Sequence, residues 1–175
     1  MLSHTSKYSE LTDAQFSALG RVLVESSNID HLIERIIARL LRAPDHPTLV
    51  ITSQLGYYQR LKALKILIDT HRRRYQSKLI NETTLDKLSD LIKQVDQFRI
   101  DRNRCAHYLW CRETDEKVFG IKFTGKHGDA QKPNQDCVTF TVIELNSIAT
   151  QMHTIVDDLI TILEGLPGIE EICRV

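Results

Sequence analysis

A chain of 175 residues with 42% hydrophobic and 26% charged residues fits one soluble globular domain with a sizeable core. Its 23 basic residues balance 23 acidic ones, which excludes a protein that coats nucleic acid through bulk charge, and no apolar run reaches the length of a membrane span. Residues 1–11 read as a flexible polar arm with no apolar stretch suited to a signal peptide, so a cytoplasmic protein is expected.

Thr12 and Gln15 have the spacing of a capping box, with Leu11 and Phe16 placed as a hydrophobic staple, so a helix is predicted to start at residue 13. Phe16, Leu19, Leu23, Ile33, Ile37 and Leu40 recur at three and four, and Pro44 stops the run near residue 42. Glu25, Ser26, Ser27, Asn28, Asp30 and His31 interrupt that row, which fits a hydrogen-bonded kink or a solvated face, or else a carboxylate, Asp30 or Glu34, that pairs with Arg102 or orients His107. Residues 43–46 read as a short connection and Pro47 as the start of a brief turn before Ser53.

A second helix is predicted from Gln54 to about Tyr75 on Leu55, Tyr58, Leu61, Leu64 and Ile68, closed by the basic run His71 to Arg74. Asn81 is placed to cap a third helix from Glu82 to about His107. Beyond it, Tyr108 to Arg112 is short and aromatic, and Phe119, Ile121 and Phe123 alternate with Val118, Gly120 and Lys122. Val138, Phe140 and Val142 alternate again, so two or three strands are expected, with 117–123 and 137–142 in a β insertion spanning 108–142. The polar loop from Gly125 to Gln135 carries Lys126, His127 and Lys132. Leu145, Ile148, Met152, Ile155, Leu159 and Ile162 mark a fourth long helix from Glu144, ended by Gly165 and Pro167, with His153 beside the stripe. The whole reads as a mainly α single domain, an antiparallel four-helix bundle with a small sheet between its third and fourth long helices.

Chemistry concentrates where the third helix ends. The row Leu88, Leu91, Ile92, Val95, Phe98 continues through Arg102 to Cys105 and Ala106, which places a guanidinium on an apolar stripe. An arginine buried there needs a carboxylate, a partner subunit or a bound anion. Asn103 and His107, four apart, share a helical face that Arg102 can reach, so Arg102, Asn103 and His107 form one candidate catalytic site. Arg99, Arg104 and Arg112 lie close in sequence as candidate substrate-binding cations, with Asp30 or Glu34 as the supporting acid. Cys105, Cys111, Cys137 and Cys173 include no Cys-x-x-Cys pair, and a zinc set of Cys105, His107, Cys111 and Cys137 matches no common ligand spacing. No metal and no cofactor are expected.

The stretch Ile100 to Trp110 resembles the Arg-Asn-x-x-x-His helix end of the HEPN superfamily, the higher eukaryote and prokaryote nucleotide-binding domains. The fuller pattern Arg-Asn-x-x-Ala-His is similar to bacterial members, including the mannitol-repressor-like proteins, and Leu61 to Leu67 is similar to a segment often found upstream in that group. The resemblance covers roughly residues 12–165, but only the six-residue motif is specific. It implies a helical bundle that often forms homodimers, with RNA as substrate and a metal-independent endoribonuclease activity in many members. In such members Arg102 would bind phosphate, Asn103 would position substrate or His107, and His107 would move the proton. Toxin or defence components regulated by an antitoxin or other protein partner belong to this class. The mannitol-repressor-like branch implies instead a noncatalytic interaction or regulatory module in which the same three residues are structural.

Overall fold

The computed structural model describes residues 10–124 and 134–167. Its elements run α1 (Asp13–Leu41), α2 (Asp45–Thr52), α3 (Tyr57–Arg73), α4 (Glu82–Gln97), α5 (Arg99–His107), β1 (Leu109–Arg112), β2 (Lys117–Thr124), β3 (Asn134–Thr141) and α6 (Val142–Gly165). The protein is mainly helical with a small three-stranded antiparallel sheet. No described helix is long and apolar enough to cross a membrane. Residues 1–9 of the expected polar arm and the loop bearing Lys126, His127 and Lys132 lie outside the described residues, as does Cys173, while Leu11 at the end of that arm is buried rather than part of a flexible segment.

The chain divides into two compact units, one of Met1–Glu25 with Phe98–Gln151 and the other of Ser26–Gln97 with Met152–Val175. Helices α1 and α6 each contribute residues to both.

In the unit that holds the sheet, the predicted capping box is closed. The Thr12 amide donates to Gln15 Oε1 at 2.9 Å and the Gln15 amide to Thr12 Oγ1 at 3.3 Å. Leu11 is buried beside this cap while Phe16 stays 40% exposed. Gln15 is itself fully buried, and its amide nitrogen donates to the carbonyls of Thr114 at 2.7 Å and Lys117 at 3.1 Å. One side chain therefore starts α1 and satisfies the turn between β1 and β2.

The sheet has order β1-β2-β3, with Leu109 opposite Ile121 and Ile121 opposite Cys137. Of the two alternating rows on β2, the row of Val118 and Gly120 is buried. Trp110 faces Gly120 across the strands and Phe140 faces Val118, with the Trp110 and Phe140 ring centres 6.0 Å apart. A Cβ at Gly120 would lie 2.7 Å from the Trp110 ring, so glycine makes room for the indole. We expect Gly120→Ala to cost about 1–3 kcal/mol by overpacking. Urea unfolding followed by the fluorescence of the single Trp checks this; an unchanged midpoint would show that the ring yields freely.

Two boundaries differ from the sequence expectation here. The strand expected over 137–142 runs from Asn134 to Thr141, and α6 starts at Val142 rather than Glu144. A second capping box explains the shift, since the Thr141 amide donates to Glu144 Oε2 at 2.7 Å and the Glu144 amide to Thr141 Oγ1 at 3.1 Å. The bonds from Thr141, backbone first, hold the Glu144 carboxyl below its usual range.

In the helical unit the core consists of the predicted apolar rows. Ile29, Ile33 and Ile36 of α1, Leu64 and Ile68 of α3, Leu85, Leu88 and Ile92 of α4, and Ile155 and Leu159 of α6 are almost fully buried. Helix α1 runs unbroken through its polar middle and ends as expected before Pro44. Its last turn closes with Arg42 at φ 54°, the Ala43 amide donating to the Ala38 carbonyl at 3.0 Å and the Arg42 amide to that of Arg39 at 3.1 Å. That pair of bonds is a Schellman closure made without glycine.

The expected turn around Pro47 is a helix, α2. Pro44 is its N-cap and Pro47 falls in its first turn, where a missing N–H leaves no bond unmade. The second predicted helix is shorter than 54–75, because Gly56 caps α3 and Arg74 ends it. Its basic end also does more than meet its own carbonyls. Buried His71 donates from Nε2 to the Leu40 carbonyl at 3.0 Å, while Arg72 pairs with Glu82 at 2.6 Å and with Asp86 on α4. Asn81 Oδ1 accepts from the Thr84 amide at 2.8 Å, the predicted cap of α4. The third predicted helix is two, because the chain breaks at Phe98 (φ −80°, ψ −5°) and restarts as α5.

Candidate functional site

Helix α5 carries the candidate residues and buries one side chain, Cys105. With only nine residues and no side-chain cap at Phe98, it depends on the contacts at its C-terminal end. Tyr108 leaves the helix in extended conformation while its amide donates to the Arg104 carbonyl at 3.1 Å. Trp110 Nε1 donates to the Cys105 carbonyl at 3.2 Å, so the indole that packs on Gly120 also satisfies a carbonyl of the last helical turn. The Tyr108 ring stacks on Trp110 with centres 6.2 Å apart, and its hydroxyl donates to the Asp136 carboxylate on β3. That bond to Asp136 is the main cause of a Tyr108 hydroxyl held above its ordinary range.

On this anchored end, Arg102 Nη1 donates to Asn103 Oδ1 at 3.1 Å, and both side chains are half-buried. His107 is exposed one helical turn beyond Asn103, on the same face. Arg102, expected on a buried row, is half-buried in the middle of α5, past the break at Phe98 that ends α4. Its orientation is set in part by its neighbour Asn103.

The three candidate substrate cations are arranged unequally. Arg104 Nη1 pairs with Asp101 at 3.3 Å one turn earlier, and Arg112 pairs with Asp115 in the turn after β1. Arg99 is exposed in the first turn of α5. The candidate acids Asp30 and Glu34 belong to the helical unit, where one guanidinium serves both. Arg60 of α3 pairs with Glu34 through Nη1 and with Asp30 through Nη2 at 3.7 Å. Arg60 was legible by the argument used for Arg102, since it precedes Leu64 and Ile68 by four and eight residues and so shares their row. Tyr108, Trp110 and Asp136 are the site-supporting residues that sequence reasoning missed. Their link to α5 depends on the pairing of strands far apart in the chain. His153 is exposed, 3.9 Å from Asp157 in the next turn.

Cys105, Cys111 and Cys137 are free thiols, and no group of three His, Cys, Asp or Glu side chains converges on a metal-sized point among the described residues. Burial, followed by the nearby Asp101 charge, pushes the Cys105 thiol up to about 12 from an ordinary 9.0. Between those values the unfolded chain has released this proton and the folded chain still holds it, so the Cys105 contribution to stability falls as pH rises through that window. At about pH 8.5 iodoacetamide should modify exposed Cys137 and spare Cys105 until the protein unfolds. Peptide mapping of the alkylated native protein reads this directly, and early labelling of Cys105 would mean that α5 opens readily.

Comparison with family models, with curated proteins and with solved structures finds no match for the chain.

Proposed function

We propose that the protein is a helical-bundle domain of the HEPN type that cleaves single-stranded RNA, with Arg102, Asn103 and His107 as the catalytic group. The observation that carries this reading is the pairing of the half-buried Arg102 with Asn103 beside an exposed His107 on one face of α5. That arrangement suits transesterification. The ribose 2′-hydroxyl attacks the adjacent phosphorus, the new 2′-O–P bond forms as the P–O5′ bond breaks, and the products are a 2′,3′-cyclic phosphate and a free 5′-hydroxyl. An imidazole titrates near neutrality and so can take the 2′ proton or supply one to the leaving oxygen. The Arg102 guanidinium binds two phosphate oxygens and offsets the charge that grows on them, while Asn103 holds it in place. A homodimer that brings two α5 ends together would supply one imidazole for each of the two proton transfers. The substrate is RNA because DNA has no 2′-hydroxyl to attack. A toxin or defence role in the cytoplasm, held in check by a protein partner, is consistent with such an activity.

A noncatalytic interaction module is the second reading, favoured by the ion pairs that already occupy Arg104 and Arg112 and by the zero net charge. The two separate on one assay: purified protein with single-stranded RNA in the presence of a chelator, with the product ends identified. Cyclic-phosphate products support the enzyme, and intact RNA across varied sequences supports the module.

A further inference from the structure

The basic run that closes α3 divides into two parts. His71 and Arg72 are held, the first by the Leu40 carbonyl and the second by Glu82 and Asp86, whereas Arg73 and Arg74 are exposed. The 3.0 Å bond from His71 to Leu40 joins the end of α3 to the end of α1 within one compact unit, and so brings in Arg42, two residues on. Past α3 the chain turns through Gln76 (φ 50°) and Ser77 (φ 54°). The Ser77 amide donates to the His71 carbonyl and the Lys78 amide to that of Tyr75, each at 3.0 Å, which keeps Lys78 at this end as well. Arg42, Arg73, Arg74 and Lys78 are all exposed, and among the described residues none of the four has an ion pair or a side-chain hydrogen bond.

The acids of this region are already engaged. Asp45 pairs with Arg39 at 3.4 Å and Arg35 at 3.7 Å, and Glu82 is shared by Arg72 and the Ser77 hydroxyl. Asp69, one turn before Arg73, is the exception, with no ion pair among the described residues. Each helix end carries about half a negative charge, so Asp69 and the two ends together offset about two of the four cations. Arg42 moreover takes the left-handed position that glycine usually fills after a helix, so a cation stands where the backbone alone favours no side chain. Among these cations lies Tyr75, 41% exposed, with the buried His71 ring against it at 5.3 Å between centres.

We propose that the joined ends of α1 and α3 bind single-stranded nucleic acid, with Arg42, Arg73, Arg74 and Lys78 meeting successive phosphates and an unpaired base stacking on Tyr75. Unpaired cations around a ring fixed from one side are the combination that a strand with both phosphates and open bases fits. Phosphates and base faces are common to RNA and DNA, so this surface takes both and does not rest on the ribonuclease reading.

Fluorescence anisotropy of a labelled single-stranded DNA oligonucleotide with the full chain tests it, because DNA lacks the attacking hydroxyl and stays intact. Binding should weaken roughly tenfold between about 50 mM and about 200 mM salt, as two or three neutralised phosphates require. Arg73→Gln combined with Arg74→Gln should weaken it about tenfold and flatten the salt dependence. Tyr75→Ala should weaken it at least about fivefold while Tyr75→Phe, which keeps the ring, binds like the wild type. Circular dichroism should be unchanged in all three, since these side chains are exposed. No binding at the lower salt overturns the proposal. So does binding that survives the arginine pair, which would place the strand elsewhere. Equal affinity for duplex and single strand with no effect of Tyr75→Ala, or binding only to vesicles of anionic phospholipid, would show a general anion surface and overturn it too. Losses in the arginine pair and in Tyr75→Ala uphold it whether or not the protein cleaves RNA.

Discussion

Cleavage of single-stranded RNA should fall by roughly a hundredfold or more in His107→Ala, the range expected when a positioned acid or base is removed. Folding should not change, because His107 is exposed and its ring is not part of the core. Arg102→Ala should reduce the rate to a similar extent through lost phosphate binding, whereas Arg102→Lys should recover little, since an ammonium cannot make the paired contact of a guanidinium. His153→Ala is the control and should leave the rate unchanged, because His153 is exposed on α6 beside Asp157 and has no place in the proposed site. Rates of the wild type and all four variants on one oligonucleotide, measured with chelator present, decide the matter. Equal rates for wild type and His107→Ala would identify a contaminating nuclease and remove the catalytic role.

Arg60→Ala should cost about 3–5 kcal/mol of unfolding free energy, the usual penalty for removing one partner of a buried ion pair, here the one with Glu34. The side chains of Arg60, Asp30 and Glu34 are only 15%, 15% and 11% exposed, so water replaces little of what the guanidinium supplies. One cation faces two carboxylates here, and its removal takes away the positive charge that offsets the repulsion between Asp30 and Glu34, one turn apart on α1. Adding Glu34→Gln to Arg60→Ala should return part of the loss, because a neutral amide needs no counterion. Urea unfolding of the single and double variants gives both numbers. A change below about 1 kcal/mol in Arg60→Ala would place these groups among ordinary surface pairs.

The same triad shows where reading the chain without its structure stops. Asp30 was recognisable as an acid on an apolar row, with Glu34 one turn on as the alternative, and Arg60 and Arg102 both lie on apolar rows where a guanidinium needs a counter-charge. Spacing along one helix cannot rank two partners that arrive from other elements. The structure shows Arg60 beside both acids. Similarly, alternation identified β2 but not its buried side. The row of Phe119, Ile121 and Phe123 is the more apolar, yet the structure buries that of Val118 and Gly120, because Trp110 requires a residue without a side chain opposite it and finds Gly120.

What the amino-acid order determined by itself is the set of features whose partners lie within one helical turn. The capping pairs Thr12 with Gln15 and Asn81 with Thr84, the stop of α1 ahead of Pro44, and the three-and-four rows of buried leucines and isoleucines are of this kind. Their geometry follows from backbone hydrogen bonding and the helical period, so neighbours in sequence suffice to specify them. Tertiary structure alone decided the break at Phe98, the helix at Pro47, the hold of Gln15 on carbonyls about a hundred residues away and the support of α5 by Trp110 and Asp136. Each of these selects one of several locally permitted arrangements, and that selection comes from groups brought close only when the chain has folded.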